Sequence, residues 1–376
     1  MDLFRYADEL GPAKIIHLHE PAVGLKGILV VDNVAMGPSI GGVRIAPDVG
    51  VDECFRLARA MTFKNAAAGL PHGGGKMVIV GDPKMPKDRK QRLMRAAAAS
   101  LRTEQSYIFG PDMGTNEECM AWVRDENGRS VGLPRELGGI PLDEIGATGW
   151  GLLHATEAAL HYQNFSLTGA TVVIQGFGSV GKHAARFLAE RGAKIIAAND
   201  SRGTIYNPNG LNVAKLFELK ADGKSVAEFS KGERLGRDAI IDIECDIWIP
   251  AARPDVIHED NAHRLKTRLI VQGANIPVTH GAEKMLSERG ILCIPDFIAN
   301  AGGVICAAME YHGATATAAS QTIEEKVRHN TEKVLEIARK QNILPRQAAI
   351  QLATDRVKKA MSLRRWSLFS SAPHFI

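Results

Sequence analysis

The chain has 376 residues, of which 45% are hydrophobic and 23% are charged. This composition is typical of a globular protein and excludes disorder as the main state, while the length predicts two domains. The formal net charge of +4 is too small to indicate a nucleic-acid partner, although it suits an anionic cofactor. The sequence has no apolar run of about 18 residues and no apolar signal core, so it predicts neither a membrane span nor a secretory peptide.

Cysteine usage points to a reducing compartment. The chain carries an odd number of widely spaced cysteines and no CxxC pair: Cys54, Cys119, Cys245, Cys293 and Cys306. This pattern argues against a disulfide framework and against a zinc site. We therefore expect no bound metal and a cytoplasmic protein.

The first part of the chain, residues 1–137, reads as a mixed α/β region. Its apolar spacing predicts a strand at 28–32, a helix at 52–68, a short buried strand at 77–80 and an alanine-rich helix at 89–100.

The second part alternates strands and helices. Residues 138–148 are rich in glycine and proline and resemble a hinge, and a helix is predicted at 149–162. From residue 171 onward the alternation predicts a parallel, doubly wound sheet. Residues 321–361 are predicted to be helical throughout, and 362–376 to form a loose tail.

A glycine motif follows the strand predicted at Thr171–Gln175. Its residues are Gly176, Phe177, Gly178, Ser179, Val180 and Gly181. The first glycine permits a tight turn, the second lets the backbone approach a pyrophosphate, and the third lets the following helix pack closely on the sheet. The helix N-terminus offers free N–H groups to phosphates. Because strand, turn, helix and second strand occur in order, we interpret residues 171–200 as an NAD(P)-binding βαβ unit.

The residue at the end of the second strand bears on the cofactor. Asp200 lies 19 residues after Gly181, where it would bind the hydroxyls of the adenine ribose. Its charge would repel a 2′-phosphate, which favours NAD. Arg202 follows closely and would partly offset that repulsion, so use of NADP stays open.

A second glycine-rich segment, residues 61–83, reads MTFKNAAAGLPHGGGKMVIVGDP. It departs from a phosphate loop at Leu70 and Met77, where glycine and Ser/Thr would be needed. We interpret its three consecutive glycines as a loop that has no structural need for glycine and opens space beside Lys76. Lys64 and Lys76 converging on one pocket would lower each other's pKa, so that one could act as a base while the other holds a carboxylate.

Taken together, these motifs resemble the glutamate/leucine/phenylalanine/valine dehydrogenase family. The resemblance runs from about residue 10 to about residue 360. Its carriers are Lys64, Asn65 and Ala66; Gly69, Leu70 and Pro71; Gly73 to Lys76; Gly37 and Pro38; Gly41, Gly42, Val43 and Arg44; Asp82 and Pro83; Pro111 to Thr115; Ala147, Thr148 and Gly149; the glycine turn at 176–181; Gly273, Ala274 and Asn275; Pro295 and Asp296; and Asn300 to Val304.

The resemblance implies an α/β enzyme of two domains that oxidatively deaminates an L-amino acid to a 2-oxo acid and ammonia. It implies a substrate domain at 1–137, joined by C-terminal helices at about 332–361, and a Rossmann-type domain at 138–331. Closure about the hinge would exclude water from the reaction. A homo-oligomer, whether a dimer, hexamer or octamer, is also implied.

Roles for single residues follow from the same resemblance. Lys64 would bind the substrate α-carboxylate, Lys76 would activate water, and Asp112 would move protons to and from the amino nitrogen. Gly74 and Asn275 would help to place the substrate and the nicotinamide ribose. The cofactor contacts implied are the glycine turn at 176–181, Asp200, Thr148, Asn275 and Asn300, although the family often carries asparagine where Ser179 stands.

The side-chain pocket implied by the resemblance is apolar. Members that oxidise glutamate carry a lysine where this chain has Ile40 and a serine where it has Ala307. A glutamate carboxylate would lose its ion partner there, whereas an apolar side chain would gain roughly 1.5–3 kcal/mol from burial. With Gly110 and Val304, these positions predict a pocket for branched-chain or aromatic amino acids.

Two other functions stay open. The chain could be a glutamate dehydrogenase that reads the side chain with other residues, such as Arg44 or His72. It could instead be a cofactor-binding regulatory subunit without turnover, although the presence of Lys64, Lys76 and Asp112 argues against this.

Overall fold

The structure is a computed structural model that describes residues 4–363. The strands are β1 Lys14–Glu20, β2 Leu25–Asn33, β3 Ser39–Ala46, β4 Gly73–Val80, β5 Tyr107–Pro111, β6 Thr171–Gln175, β7 Lys194–Asp200, β8 Gly203–Tyr206, β9 Glu233–Leu235, β10 Ile247–Pro250, β11 Leu269–Val271 and β12 Leu292–Ile294. The α-helices are α1 Val51–Ala67, α2 Lys87–Ser100, α3 Glu117–Asn127, α4 Leu142–Ile145, α5 Ala147–Leu160, α6 Ser179–Glu190, α7 Val213–Ala221, α8 His280–Glu288, α9 Asp296–Ala299, α10 Gly302–Tyr311, α11 Ala316–Gln341 and α12 Pro345–Leu363.

The chain forms two compact units. Of the described residues, the first unit comprises 4–141, Val304–Ala319 and 350–363, and the second comprises Leu142–Gly303 and Ser320–Ala349. The two-domain α/β architecture expected from the sequence is therefore confirmed. Within the described part of the chain, none of the helices combines the length and apolar character needed to cross a bilayer.

The first unit is built on a five-stranded sheet in the order β1-β2-β4-β3-β5. Strands β3, β4 and β5 are parallel, whereas β1 and β2 pair antiparallel. Because side chains alternate along a strand, the sheet has two distinct faces. On one face, Met77 and Tyr107 pack with Met94 of α2 and Met120 of α3 in a large apolar core. Helix α1 packs on the other face, where Cys54 and Ala58 contact Val30 and Val78.

The second unit is built on a seven-stranded sheet in the order β12-β11-β10-β6-β7-β8-β9. Five of its strands are parallel, as the alternation predicted, and α6 follows β6 directly. The sheet then continues into two antiparallel strands, β8 and the edge strand β9, which were not predicted from the sequence. Their shortness, four and three residues, explains why no period marks them.

The C-terminal helical region differs from its prediction. Residues 321–361 are not helical throughout, because α11 ends at Gln341 and α12 begins at Pro345. Asn342 adopts a left-handed backbone (φ 53°), a conformation that ends a helix, and proline suits the first turn of the next one.

The return of the chain to the first unit also differs from the expected 332–361. Residues 304–319 belong to the first unit, where Glu310 accepts hydrogen bonds from the backbone N–H groups of Leu133 (3.1 Å) and Ile140 (2.9 Å). The segment 320–349 belongs to the second unit, where Arg346 pairs with Glu283 and Asp296. Of the expected tail 362–376, the first two residues end α12 and the rest lies outside the described residues.

Candidate active site

Several of the predicted substrate and catalytic residues lie on one face of the five-stranded sheet. Ile40 of β3 lies beside Gly74 of β4, and Gly42 of β3 lies beside Gly110 of β5. Residues paired across parallel strands, and residues two apart along one strand, share a face. Lys76 and Asp112 therefore lie on the same face as Ile40, Gly74 and Gly110.

Lys76 and Asp112 meet across strand β3. The Lys76 Nζ lies 2.5 Å from Asp112 Oδ2, although β3 separates β4 from β5 in the sheet. Gly42 of β3 makes this contact possible, because a Cβ atom there would lie 2.7 Å from the Asp112 Cβ and 3.2 Å from the Lys76 Nζ. In the sequence Gly42 is recognisable only as part of a motif, because the residue spacing within one strand does not reveal a contact that crosses the sheet.

Charges around Asp112 keep it ionised. Arg44 donates from Nε to Asp112 Oδ2 at 3.1 Å and pairs with Glu53 Oε1 at 2.5 Å. Burial alone would raise the pKa of Asp112, but the positive charges and hydrogen bonds of Lys76 and Arg44 lower that pKa below its ordinary value. The Lys76 side chain is 8% exposed and that of Asp112 is 23% exposed, so the carboxylate remains reachable from outside the sheet.

The three glycines before Lys76 are needed for close packing. The prediction that they form a loop with no structural need for glycine is therefore wrong. They belong to strand β4. A Cβ at Gly73 would lie 1.8 Å from Asn33 O, and one at Gly74 would lie 2.0 Å from the Thr62 backbone nitrogen of α1. Neighbouring backbone therefore excludes any side chain at both positions. The space left by the missing side chains is filled by protein.

Helix α1 brings Lys64 to the same region. Lys64 is half-buried in the last turn of α1. The next residue, Asn65, is fully buried and donates to Gly73 O at 2.7 Å, which fixes the end of the helix against the start of β4. How Lys64 and Lys76 affect each other stays a prediction.

The four positions predicted to contact the substrate side chain are all in the first unit. Ile40 is buried (4% exposed), and Gly110 has room for a Cβ, whose nearest contact would be Val131 Cγ2 at 3.6 Å. Val304 and Ala307 lie on α10 and are half-buried. Apolar atoms are thus the only side-chain groups that these positions offer.

The second unit has a cavity at the carboxyl ends of β6, β7 and β10. Its volume is about 770 Å³, and its lining includes Gly176, Phe177, Gly178 and Asp200. This size is typical of a small-molecule site. Two buried side-chain atoms in the lining, Gln175 Oε1 and Trp248 Nε1, have no hydrogen-bond partner in the described residues.

Gly176 and Gly181 of the motif have the backbone conformation and the close contact that the motif predicts. Gly176 has φ +94°, and a Cβ at Gly181 would lie 1.9 Å from Gly176 O, so the turn and the helix contact both require glycine. A Cβ at Gly178 would meet nothing within 4 Å, which leaves its backbone open at the N-terminus of α6. These residues fit a dinucleotide.

Asp200 is held by the protein itself. Its Oδ1 accepts from Ser225 Oγ (2.7 Å) and the Arg202 N–H (3.0 Å), and its Oδ2 accepts from Lys220 Nζ (3.0 Å) and the Val226 N–H (3.1 Å). Burial would raise the pKa of Asp200, but these hydrogen bonds lower it to about 2. The carboxylate is therefore charged, and its role toward a ribose stays a prediction.

The remaining predicted cofactor residues are spread over the second unit. Asn300 is buried, donates to Asn275 Oδ1 at 3.2 Å, and keeps its own Oδ1 without a partner among the described residues. Thr148 lies half-buried in the first turn of α5. Ser179 donates to Asp143 Oδ1 at 3.0 Å, while Val180 Cγ1 would lie 3.3 Å from a Cβ at Gly273.

Comparisons with known proteins agree with this architecture. The family described as "Glutamate/Leucine/Phenylalanine/Valine dehydrogenase" matches residues 138–365, and "Glu/Leu/Phe/Val dehydrogenase, dimerisation domain" matches residues 12–129. The chain is 38% identical to the glutamate dehydrogenase of Aeropyrum pernix over 358 residues, which is 89% of this chain and 85% of that protein. It is 37% identical to the glutamate dehydrogenase of Thermotoga maritima over 358 residues, with 90% and 86% covered.

Solved structures show the same fold. The hetero-hexameric glutamate dehydrogenase of Thermus thermophilus, in its Leu bound form, superposes with a TM-score of 0.83 at 29% identity and covers 95% of this chain and 91% of its own. The L-tryptophan dehydrogenase of Nostoc punctiforme superposes with a TM-score of 0.75 at 25% identity, with 94% and 98% covered. Together with the Lys76–Asp112 pair and the dinucleotide fold, these matches show that the chain is an amino acid dehydrogenase and belongs to the NAD(P)-dependent Glu/Leu/Phe/Val dehydrogenase family.

Proposed function

We propose that this enzyme catalyses the reversible NAD(P)-dependent oxidative deamination of an apolar L-amino acid, branched-chain or aromatic, to the 2-oxo acid and ammonia. The proposed reaction rests on the contact between Lys76 and Asp112, whose carboxylate is partly exposed. The apolar substrate rests on the residues predicted to contact the substrate side chain, none of which carries a positive charge that could pair with a glutamate carboxylate: Ile40, Gly110, Val304 and Ala307.

In the proposed reaction, different residues of the first unit would transfer protons, orient water and bind the substrate carboxylate. Asp112 is a carboxylate at neutral pH and accepts the proton that the substrate ammonium loses. When bound, NAD(P) would supply the hydride acceptor for the substrate Cα. Lys76, in contact with the same carboxylate, would orient the water that adds to the resulting iminium carbon, and Asp112 would carry a proton from this water to the amino nitrogen. The C–N bond would then break, which releases ammonia and leaves the 2-oxo acid. Lys64 holds the α-carboxylate as a point charge.

The surroundings of the side-chain positions support an apolar substrate. Arg44 is paired with Asp112 and Glu53, so its charge is already matched. His72 is 1% exposed, and burial lowers its pKa to about 4, so it is neutral at physiological pH. Neither residue offers a spare positive charge to a glutamate side chain, and an unpaired buried carboxylate costs several kcal/mol.

Glutamate is the second candidate substrate. The two curated relatives at 38% and 37% identity are both named glutamate dehydrogenase, which favours glutamate over an apolar amino acid. The Nostoc punctiforme L-tryptophan dehydrogenase favours an apolar substrate, whereas the Thermus thermophilus structure is of a glutamate dehydrogenase with leucine bound. A regulatory subunit without turnover is less well supported, because Lys76 and Asp112 are both present and in contact.

A substrate panel tests the proposal. Initial rates of NADH and NADPH formation would be measured with leucine, valine, phenylalanine, tryptophan and glutamate. We expect kcat/KM for the best apolar amino acid to exceed that for glutamate by at least about tenfold. A panel in which glutamate is the best substrate would establish the second candidate instead.

We propose NAD as the preferred cofactor. The ionised Asp200 in the cavity would repel a 2′-phosphate, although Lys220 at 3.0 Å reduces its charge. Arg202, the other nearby cation, is partly neutralised by Glu228 (3.5 Å). Titration of the apoenzyme with NAD and NADP, followed by protein fluorescence, would compare the two affinities. Asp200→Asn should reduce the difference between the affinities for NAD and NADP. Tighter binding of NADP than of NAD by the unmodified enzyme would contradict the proposal.

A homo-oligomer and a reducing compartment complete the proposal. The match to a dimerisation domain over residues 12–129 supports assembly from identical chains. All five cysteines are free and buried, which suits the cytoplasm. Light scattering of the purified chain would give the number of subunits, and a monomer would contradict the proposed assembly.

A further inference from the structure

Two histidines form a buried contact that the proposed chemistry does not use. His72 immediately precedes β4, and its ring is almost fully enclosed (1% exposed). Its Nδ1 lies 3.0 Å from Pro38 O, and its Nε2 lies 3.0 Å from Nε2 of His312, the residue after α10. The two rings pack with centroids 5.2 Å apart, and Tyr311 packs edge-on against His72.

The partners fix the protonation of this pair. A carbonyl oxygen only accepts, so the Nδ1 of His72 carries a hydrogen. The Nε2 of a neutral ring with that tautomer is an acceptor, which makes the Nε2 of His312 the donor. Burial, and then the neighbouring His312, lower the pKa of His72 to about 4, so the neutral ring is the stable form at physiological pH. The hydrogen bonds run from His312 to His72 to Pro38.

The pair joins the elements that carry the side-chain positions. Pro38 stands two residues before Ile40, and His72 stands two residues before Gly74. His312 stands five residues after Ala307, at the end of the same helix. A second attachment holds this helix end, since Glu310 accepts from the backbone of Leu133 and Ile140.

We propose that His72 and His312 are positioning residues, which hold the end of α10 at a fixed distance from β3 and β4 and thereby set the length of substrate side chain that the enzyme accepts. This inference rests on the proposed function, because it takes Ile40 and Ala307 as contacts of the substrate side chain. Neither histidine touches the reacting atoms. Loss of the hydrogen bond changes KM and the length preference more than kcat.

The experiment compares two replacements of His312. In His312→Gln, the side-chain amide can still donate to His72 Nε2, whereas in His312→Leu no donor remains. For each variant and the unmodified enzyme, kcat and KM would be measured with alanine, 2-aminobutyrate, norvaline, norleucine, valine, leucine, phenylalanine, tryptophan and glutamate. His19→Leu, at an exposed position of β1, is the matched control. Thermal unfolding and NAD binding would be followed in parallel.

We expect His312→Leu to raise KM for the best substrate about five- to tenfold, as loss of one hydrogen bond allows, and to flatten the length preference. His312→Gln should keep the preference, and NAD binding should not change in either variant. If kcat/KM fell equally in His312→Leu and His312→Gln and the length preference did not change, the positioning role alone would be overturned. An unmodified enzyme that prefers glutamate or oxidises none of the series would overturn the proposed function instead, and with no turnover the positioning role falls with it.

Discussion

The Lys76 ammonium reaches the Asp112 carboxylate, 2.5 Å away, over a strand that lies between them in the sheet. The contact exists because Gly42, on the intervening strand, has no side chain to block it. A glycine far from either residue in the sequence thus permits the contact, and under the proposed function this pair marks where the substrate amino group lies.

Gly42→Ala should separate Lys76 from Asp112 and impair turnover. The new Cβ would lie 2.7 Å from the Asp112 Cβ, so the aspartate or strand β3 must move. Because displacement of catalytic groups by about 1 Å can cost on the order of a hundredfold, we expect a loss of that size in kcat. Gly236→Ala is the control, since a Cβ there meets nothing within 4 Å. Unchanged kcat in Gly42→Ala would show that the contact is not needed.

The Lys76–Asp112 pair should make stability depend on pH. The pKa of Asp112 is lowered in the folded protein, so its ionised form adds stability above the unfolded pKa of about 3.9, and this stability is lost as the pH falls through the folded pKa. Lys76→Met should therefore cost roughly 2 kcal/mol at neutral pH and progressively less in acid. Urea unfolding at several pH values would measure this.

Lys26→Met, at an exposed position of β2, serves as the control for the pH experiment. Lys26→Met should change the free energy of unfolding only slightly, and that change should vary much less between pH 3 and 7 than the change caused by Lys76→Met. A Lys76→Met effect that stays constant over the same range would mean that the ammonium is not stabilising the Asp112 carboxylate.

The combined replacement of Ile40→Lys and Ala307→Ser should move the specificity toward glutamate. It would introduce a cation and a hydroxyl at the two positions where the family members that oxidise glutamate carry them. We expect the ratio of kcat/KM for glutamate to that for the best apolar substrate to rise at least about tenfold. Ala307→Ser alone should have a smaller effect because it adds no charge. A ratio that does not respond would place the side-chain pocket elsewhere.

Ile276→Gly should stabilise the second unit. Ile276 has φ +49°, a backbone conformation that is strained for a β-branched residue, and its side chain is 54% exposed. Relief of that strain should exceed the entropy cost of glycine and raise the free energy of unfolding by about 1 kcal/mol. Asn342→Gly is the control, since Asn342 has a similar φ (53°) but tolerates it. A lower melting temperature for Ile276→Gly would contradict this reasoning.

The dinucleotide-binding unit was predictable because its signals are local. Gly176 and Gly181 each act within a few residues of chain and make the close contacts that the motif implies, while Gly178 leaves its backbone open. The break at 342–344 also had local signals, in Asn342 and Pro345, that the helical composition around them outweighed.

The meeting of Lys76 with Asp112 was predictable only through the family resemblance. Lys76 and Asp112 are brought together by the strand order β4-β3-β5, which no periodicity within one strand encodes. For the same reason the glycines of β4 were interpreted as a loop, although they face Asn33, Thr62 and Ser39 from other elements. Long-range strand pairing decides these roles, and a single sequence does not display it.

The most direct test of the catalytic assignment is the activity of Lys76→Ala measured together with its affinity for NAD. NADH formation with the best amino acid substrate would be followed at saturating cofactor, and NAD binding by protein fluorescence. We predict that turnover falls at least about a hundredfold while the dissociation constant for NAD is unchanged, because Lys76 belongs to the substrate unit and not to the dinucleotide fold. Turnover close to that of the unmodified enzyme, with NAD binding intact, would contradict the role of the Lys76–Asp112 pair on which the account depends.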